Sequence, residues 1–452
     1  MTESSELIRG KTSTSKKMLF GLPRLGTSIV LGIESWGLLT LYTSGYGLNP
    51  FFAGLAVAIG YLTIAVSQFL FGWLSDAKYT KLGRRKPYLI VIAPLLALST
   101  IFLLLPSLFL PDMSDHVMVF FWMVIWDVVF RIGYAVTTPY QAWMAEVFEA
   151  NDRPKVSQYQ NIFNWVGNAI MAIFSLLIVT YYIDALEIDV NASVPTIYLF
   201  PIIIFGILVF VLFYLIAFLL PTEPYYKIES NLKESLITTV KNKNFMLIVL
   251  MVGIAGFGWS MLSTGMLKYL NDALQLSMTE YLIAAVVLVL GIVICLYLWR
   301  KAIEKRGKKP TLLIVFILAV IFLPITLISL IPMDSTLILG VVFIAGVAVI
   351  LGGWYLFPYI VYADIAEDDE KSTGNLKAGT YAGFPSIILN LFQAVGAIVI
   401  GSIFSLPNIT VGTLDPFSIG LALFGPICSV VLIVAYFFTK KYVTLDFDWE
   451  KK

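Results

Sequence analysis

Residues 72–90 read GWLSDAKYTKLGRRKPYLI, with Lys78, Lys81, Arg84, Arg85 and Lys86 set between two apolar runs. Neither run tolerates water, so the charges mark a place where the chain leaves an apolar phase and turns back into it. The rest of the sequence has the same habit. Of 452 residues 59% are hydrophobic and only 13% charged, a composition that excludes a soluble globular domain of this length. Windows long enough to cross about 30 Å of hydrocarbon as helix fall near 19–43, 51–75, 87–110, 117–138, 159–183 and 195–220, then near 245–270, 279–299, 310–331, 336–360, 379–404 and 414–439. The expected fold is all-α, with twelve transmembrane spans.

The distribution of charge orients these spans. Of the 30 Lys and Arg, 4 lie in the N-terminal tail, 4 follow the last span, and 5, 2, 4, 6 and 2 lie in the successive even-numbered loops. The odd-numbered loops carry Asp112, Asp115, Asp184, Glu187, Asp189, Asp334 and Asp415 instead. The positive-inside rule then puts both termini in the cytoplasm of a cell whose plasma membrane the chain spans. Residues 1–17 are polar and expected to be disordered, so the first span is expected to act as its own membrane address.

An internal repeat divides the chain. Gly83-Arg84-Arg85-Lys86-Pro87 is echoed by Gly307-Lys308-Lys309-Pro310, and Pro139-Tyr140 with Ala145-Glu146 by Pro358-Tyr359 with Ala363-Asp364. The reading is a cytoplasmic tail 1–18, a six-helix half 19–220, a connector 221–244, a second six-helix half 245–439 and a tail 440–452, with a pseudo-two-fold axis along the membrane normal.

These residues carry a resemblance. Gly72-x-x-x-Asp76 followed by the basic Gly83-Arg84-Arg85 run resembles the signature loop of the major facilitator superfamily. The longer spacer after Asp76, with Tyr88 after the Pro and TPYQAWMAEV after the fourth span, is similar to the glycoside-pentoside-hexuronide:cation symporters and their sucrose-proton relatives. The resemblance implies alternating access and secondary transport of a sugar. It also implies a cytoplasmic gate in which Asp76, Arg84 and Arg85 meet Glu146 and Asp364, through exposed charged contacts worth only ~0–1 kcal/mol each. The sodium-coupled members carry paired Asp residues on the second span, where this chain has Gln68 and Ile64, and Thr137 stands at the family's acidic position near the end of the fourth. A carboxylate site for a hard Na⁺ is therefore not expected.

Ionisable groups inside the hydrocarbon are expensive and point to function. Glu34 lies midway along the first span, Asp127 and Arg131 one turn apart on the fourth, and Lys268 near the outer end of the seventh. A lone carboxyl at that depth can take up a proton in one conformation and release it in another, so Glu34, Asp127 and Arg131 are the candidate proton-coupling groups. Arg24 and Arg131 are the candidate partners of Glu34.

Polar residues at helical spacing mark faces turned toward a solute path. Tyr134 extends the Asp127–Arg131 stripe; Asn161, Asn164 and Asn168 line the fifth span, Ser260 and Thr264 the seventh, and Ser386, Asn390 and Gln393 the eleventh. Trp259, Trp354 and Tyr355 lie mid-span, too deep for an interfacial belt, and aromatic faces suit the apolar side of a sugar ring. The expected solute is a neutral polar molecule, a mono- or disaccharide, carried with a proton by a monomer. An uncoupled facilitator or exporter of another polar metabolite, or a sensor that keeps the fold without transporting, are the alternatives. One histidine, His116 in an outer loop, and two cysteines, Cys295 and Cys428 mid-span, supply no metal cluster or nucleophile–base set, so no enzyme chemistry, metal or cofactor is expected.

Overall fold

The computed structural model describes residues 13–77, 79–148, 153–222, 240–357, 361 and 378–445. Twelve of its helices are long and apolar enough to span a membrane. They are α1 (Thr14–Gly45), α2 (Pro50–Gly72), α3 (Lys86–Leu104), α4 (His116–Met144), α5 (Lys155–Ile188) and α6 (Thr196–Leu219), then α7 (Lys243–Ala273), α8 (Thr279–Arg306), α9 (Lys308–Leu330), α10 (Leu337–Trp354), α11 (Phe384–Phe404) and α12 (Gly420–Tyr442).

Their ends follow local chemistry. Asp115 caps α4 by accepting from the backbone N–H groups of Val117 and Met118, Asn242 caps α7 through Phe245, and Ser277 with Glu280 forms a capping box at α8. Several boundaries differ from the hydropathy reading, two of them with a clear local cause. Helix α8 runs on to Arg306, because basic side chains on a helix can reach water beyond the apolar layer, and only Gly307, at φ +85°, separates it from α9. Phe417–Ser418, counted within the last span, instead pair antiparallel with Asn408–Ile409, and α12 starts at Gly420.

Packing repeats itself between the two sets of six. In the first, α1 packs on α5 and α6, α3 on α4 and α6, and α2 on α4; in the second, α7 packs on α11 and α12, α9 on α10 and α12, and α8 on α10. Between the sets the contacts are α1 with α7, α2 with α11 and α5 with α8, again a pattern that a two-fold axis maps onto itself. Helices α1 and α7 are the most enclosed, with 78% and 72% of their apolar windows buried against 29% for α8, so the central pair lies next to that axis. The lipid-facing remainder is apolar, as at Val66, Phe121, Ile294 and Ile321. Even spans pass between the two ends, so Ser13 and Leu445 lie at one face, called here the terminal face, and the opposite side is the far face.

Apolar surfaces gain little by leaving lipid for one another, so helix contacts in a bilayer depend on close approach. Helices α2 and α11 achieve it where Gly54 meets Gly401: a Cβ on Gly54 would strike the Ala397 carbonyl and come within 3.0 Å of the Gly401 Cα. Gly54→Val should therefore force the two sets apart at this crossing and lower stability by ~1–3 kcal/mol. The check is the thermal-unfolding midpoint of the detergent-solubilised protein, and an unchanged midpoint would mean the crossing has slack.

Candidate functional site

The buried charges of the first set converge on one point. Glu34 on α1 is 3% exposed, Asp127 on α4 0% and Arg131 2%. The Arg131 Nη2 donates to Glu34 Oε1, and its Nε lies 3.6 Å from Asp127 Oδ1. Of the two partners the sequence allowed Glu34, the fold selects Arg131; Arg24 instead lies against the side-chain amide of Gln141, which offers it an oxygen when the amide is turned. Ser35 Oγ donates to the other Glu34 oxygen at 3.2 Å.

Two residues of α2 complete this centre, and neither is marked in the sequence. The Tyr61 ring lies against the guanidinium, its centroid 4.4 Å from Arg131 Cζ, an arrangement that favours a cation away from water. Gly60 faces Asp127 so closely that any Cβ there would collide with Asp127 Oδ2. Tyr61 is one aromatic in an apolar run and Gly60 one glycine among 32, so nothing in one dimension singles them out. Neither Asp127 oxygen has a hydrogen-bond partner among the described residues. Two carboxylates thus share one guanidinium in an enclosed space, which leaves one negative charge over when both are ionised.

The second set buries an aromatic cluster. Trp259 of α7 stacks on Trp354 of α10, with centroids 5.7 Å apart and planes at 29°, and Phe316 closes on Trp354 at 6.1 Å. Trp259 is 4% exposed and its indole N–H has no hydrogen-bond partner among the described residues, a donor held ready in a dry place. Thr264 and Asn390 are buried and Gln393 half-buried. On α5, Asn164 accepts from Ser28 of α1 at 2.5 Å, Asn168 is half-buried and Asn161 exposed. Tyr134 is half-buried at the end of the first part of α4, and Tyr355 is 42% exposed just past α10. The candidate solute-path residues are therefore distributed along α4, α5, α7, α10 and α11. Lys268 belongs to a different cluster at the far face. Two apolar hollows, one lined by Leu177, Ile178, Tyr181 and Ile197 and one by Phe210 and Tyr214, contain none of these groups.

The basic stretch between the second and third spans also makes buried contacts. Arg84 and Arg85 are 4% and 3% exposed, rather than solvated at the face. Arg85 donates to Ser75 Oγ at 2.5 Å, while Lys86 donates to the Leu220 carbonyl at the end of α6 at 2.7 Å and lies over the Trp143 ring. A cation on a helix C-terminus is favoured by the exposed carbonyls there. Of their expected gate partners, the side chains of Asp76 and Glu146 and the whole of Asp364 lie outside the described residues, as do the tail 1–12 and most of the connector. No group of three His, Cys, Asp or Glu that could hold a metal occurs among the described residues, and both cysteines are buried and unpaired.

The sequence model of a family described as MFS/sugar transport protein matches residues 19–440. Among solved structures, the chain is similar to the xylose transporter XylE from E. coli, at 16% identity and TM-score 0.58 over 96% of this chain and 95% of that one. It is similar to the nucleoside transporter NupG, at 15% and 0.60 over 94% and 99%. It also resembles a bacterial homologue of the human drug peptide transporters, at 11% and 0.63 over 96% and 100%. At such identities the likeness concerns the fold alone. No curated protein matches the chain in sequence.

The buried centre predicts an asymmetry in stability. Arg131→Gln leaves Glu34 and Asp127 facing each other without a cation and should cost ~3–5 kcal/mol, whereas Glu34→Gln keeps the Asp127–Arg131 pair and should cost less than half of that. Thermal unfolding of both variants in one detergent checks the order, and equal losses would show that Arg131 answers to Glu34 alone.

Proposed function

The chain belongs to the MFS/sugar transport family, and from that premise we propose that it is a proton-coupled symporter of a neutral sugar. The observation that carries this reading is the shared guanidinium. With two carboxylates to one Arg131, the centre is neutral when it holds one proton and carries an excess charge when it does not. An enclosed, low-dielectric site penalises the excess charge, so the bound proton and the geometry of α1 and α4 are linked. Glu34 is the proton carrier in this proposal, because it is the carboxylate on α1, the helix that packs on α7 of the other set. Asp127 holds Arg131 in place when Glu34 is neutral.

The solute follows from what the second set presents. Stacked indoles offer flat apolar area, and the unpartnered Trp259 N–H is a donor suited to a hydroxyl. Asn168, Asn390 and Gln393, whose amides donate and accept, and Thr264, Tyr134, Asn161, Asn164 and Tyr355 along the path, are the further contacts we assign. Halves 19–220 and 245–439 rock about the axis as a monomer, with the terminal face cytoplasmic by the distribution of Lys and Arg. One proton moving down 100 mV provides about 2.3 kcal/mol, enough for roughly fifty-fold accumulation at one-to-one coupling.

The test is uptake of a radiolabelled sugar panel by proteoliposomes under an imposed pH gradient, with and without sodium. Saturable uptake that collapses with a protonophore and ignores sodium is expected; failure of every sugar with folded protein would move the search to other polar solutes. For a sugar that is taken up, Glu34→Gln should abolish accumulation driven by the pH gradient while leaving counterflow exchange. Undiminished accumulation by that variant would transfer the proton to Asp127.

A further inference from the structure

Helices α1 and α7 end at the far face in the same unusual way. Each changes from α to π geometry over its last turn, at Leu41–Gly45 and Tyr269–Ala273. Such widened turns are rare and gather at functional sites. Ser44 and Asp272 occupy the same place in the two turns, 228 residues apart, and they touch: Ser44 Oγ donates to Asp272 Oδ1 at 2.8 Å. Residues that are counterparts in the two halves meet only next to the axis that relates them. Lys268 Nζ then donates to Ser44 Oγ at 2.6 Å and to Asp272 Oδ2 at 2.5 Å, so the serine hydroxyl both gives and accepts a charge-assisted hydrogen bond. A second arm leaves the same π-turn, where Asn271 donates to Glu187 of α5 at 3.4 Å while Tyr281 of α8 donates to Asn271 Oδ1 at 3.2 Å.

We infer that Ser44 and the Lys268–Asp272 pair form the gate that closes the far face, with Asn271 and Glu187 as its second contact. The charges are placed to suit a contact that must open. Lys268 and Asp272 both belong to α7 and neutralise each other whether or not α1 is present. Separation of the halves at Ser44 therefore leaves Lys268 and Asp272 paired; it exchanges one neutral hydroxyl for water at that pair. Ser44 is a positioning residue, because it holds α1 against α7 and takes no part in proton or solute binding. At the same face the Gly54–Gly401 crossing, near the start of α2 and the end of α11, brings those helices into backbone contact beside the gate.

The inference rests on the two halves moving against each other, and its test is independent of the solute and the coupling ion. In a full-length chain with Cys295 and Cys428 replaced by Ala, spin labels are attached at Ile188→Cys and Asp334→Cys, exposed far-face positions in opposite halves. Pulsed electron-spin distance measurement on this parent should give one dominant short separation. Ser44→Ala, which removes the hydroxyl and its charge-assisted bonds, should shift the ratio of long to short separations about tenfold toward long. Asn271→Ala should shift it the same way, and Ser44→Thr, which restores a hydroxyl, should return it to the parent. Distributions for Ser44→Ala and Asn271→Ala that superimpose on the parent would overturn the assignment, as would a Ser44→Thr shift as large as that of Ser44→Ala. Loss of sugar or proton dependence in the uptake assay, with these distance shifts intact, would refute the proposed solute or ion and leave the gate standing.

Discussion

Arg131 is a guanidinium in a place water does not reach, and a cation there is stable only while anions and an aromatic face surround it. Three helices are arranged around that requirement. Helix α1 brings Glu34, α4 carries Asp127 one turn from Arg131, and α2 lays Tyr61 against the guanidinium. The space for Asp127 is made by leaving a side chain off Gly60. Removing any one of these groups exposes the desolvation cost of the others, so the relative positions of α1, α2 and α4 are fixed more tightly than apolar packing in lipid would fix them.

The two sets of six helices share a packing pattern and differ in what fills their cores. Where the first has the Glu34–Arg131–Asp127 centre, the second has stacked indoles and buried Thr264 and Asn390. Repeated architecture with unlike contents lets one half respond to a proton and the other to the apolar and hydroxyl surfaces of a solute, with the α1–α7 contact between them. That division of labour is our reading of the asymmetry; the packing pattern itself follows from the repeat visible in Gly83–Pro87 and Gly307–Pro310.

Hydropathy is a one-dimensional signal, so the twelve spans were legible from the sequence, and departures came only where a span's end is set by something else. Basic residues let α8 continue past its apolar window, and a short strand pair delays α12. The buried ionisable residues were equally legible, because charge in hydrocarbon is conspicuous in any window. Their partners were less so. Glu34 had two candidate arginines, and only the fold brings Arg131 to it across 97 residues. Tyr61 and Gly60 matter solely through what they touch, and Asp272 at a span end reads as an ordinary loop acid until Ser44 is found beside it. Arg85 and Lys86 make contacts that charge patterning alone does not show, Arg85 with Ser75 and Lys86 with the Leu220 carbonyl at the end of α6.

The two charged clusters differ in where their charges sit relative to the moving parts, and this difference separates their roles. Glu34 and Arg131 lie on different helices of the same half, so a rigid rocking of the halves would leave their bond intact. Only a change in charge, such as arrival of a proton, alters it. Lys268 and Asp272 lie on one helix and bond Ser44 on the other half, so rocking breaks the contact with Ser44 while their own charges stay paired. In the proposed cycle one cluster thus senses charge and is indifferent to rocking, and the other senses rocking at little electrostatic cost. Glu34 and Ser44 are ten residues apart on the same helix, about 15 Å at the α-helical rise. In the proposed cycle a tilt of α1 set off by a proton at Glu34, midway along the helix, is delivered to the contact at its far end, with no further element needed to couple them.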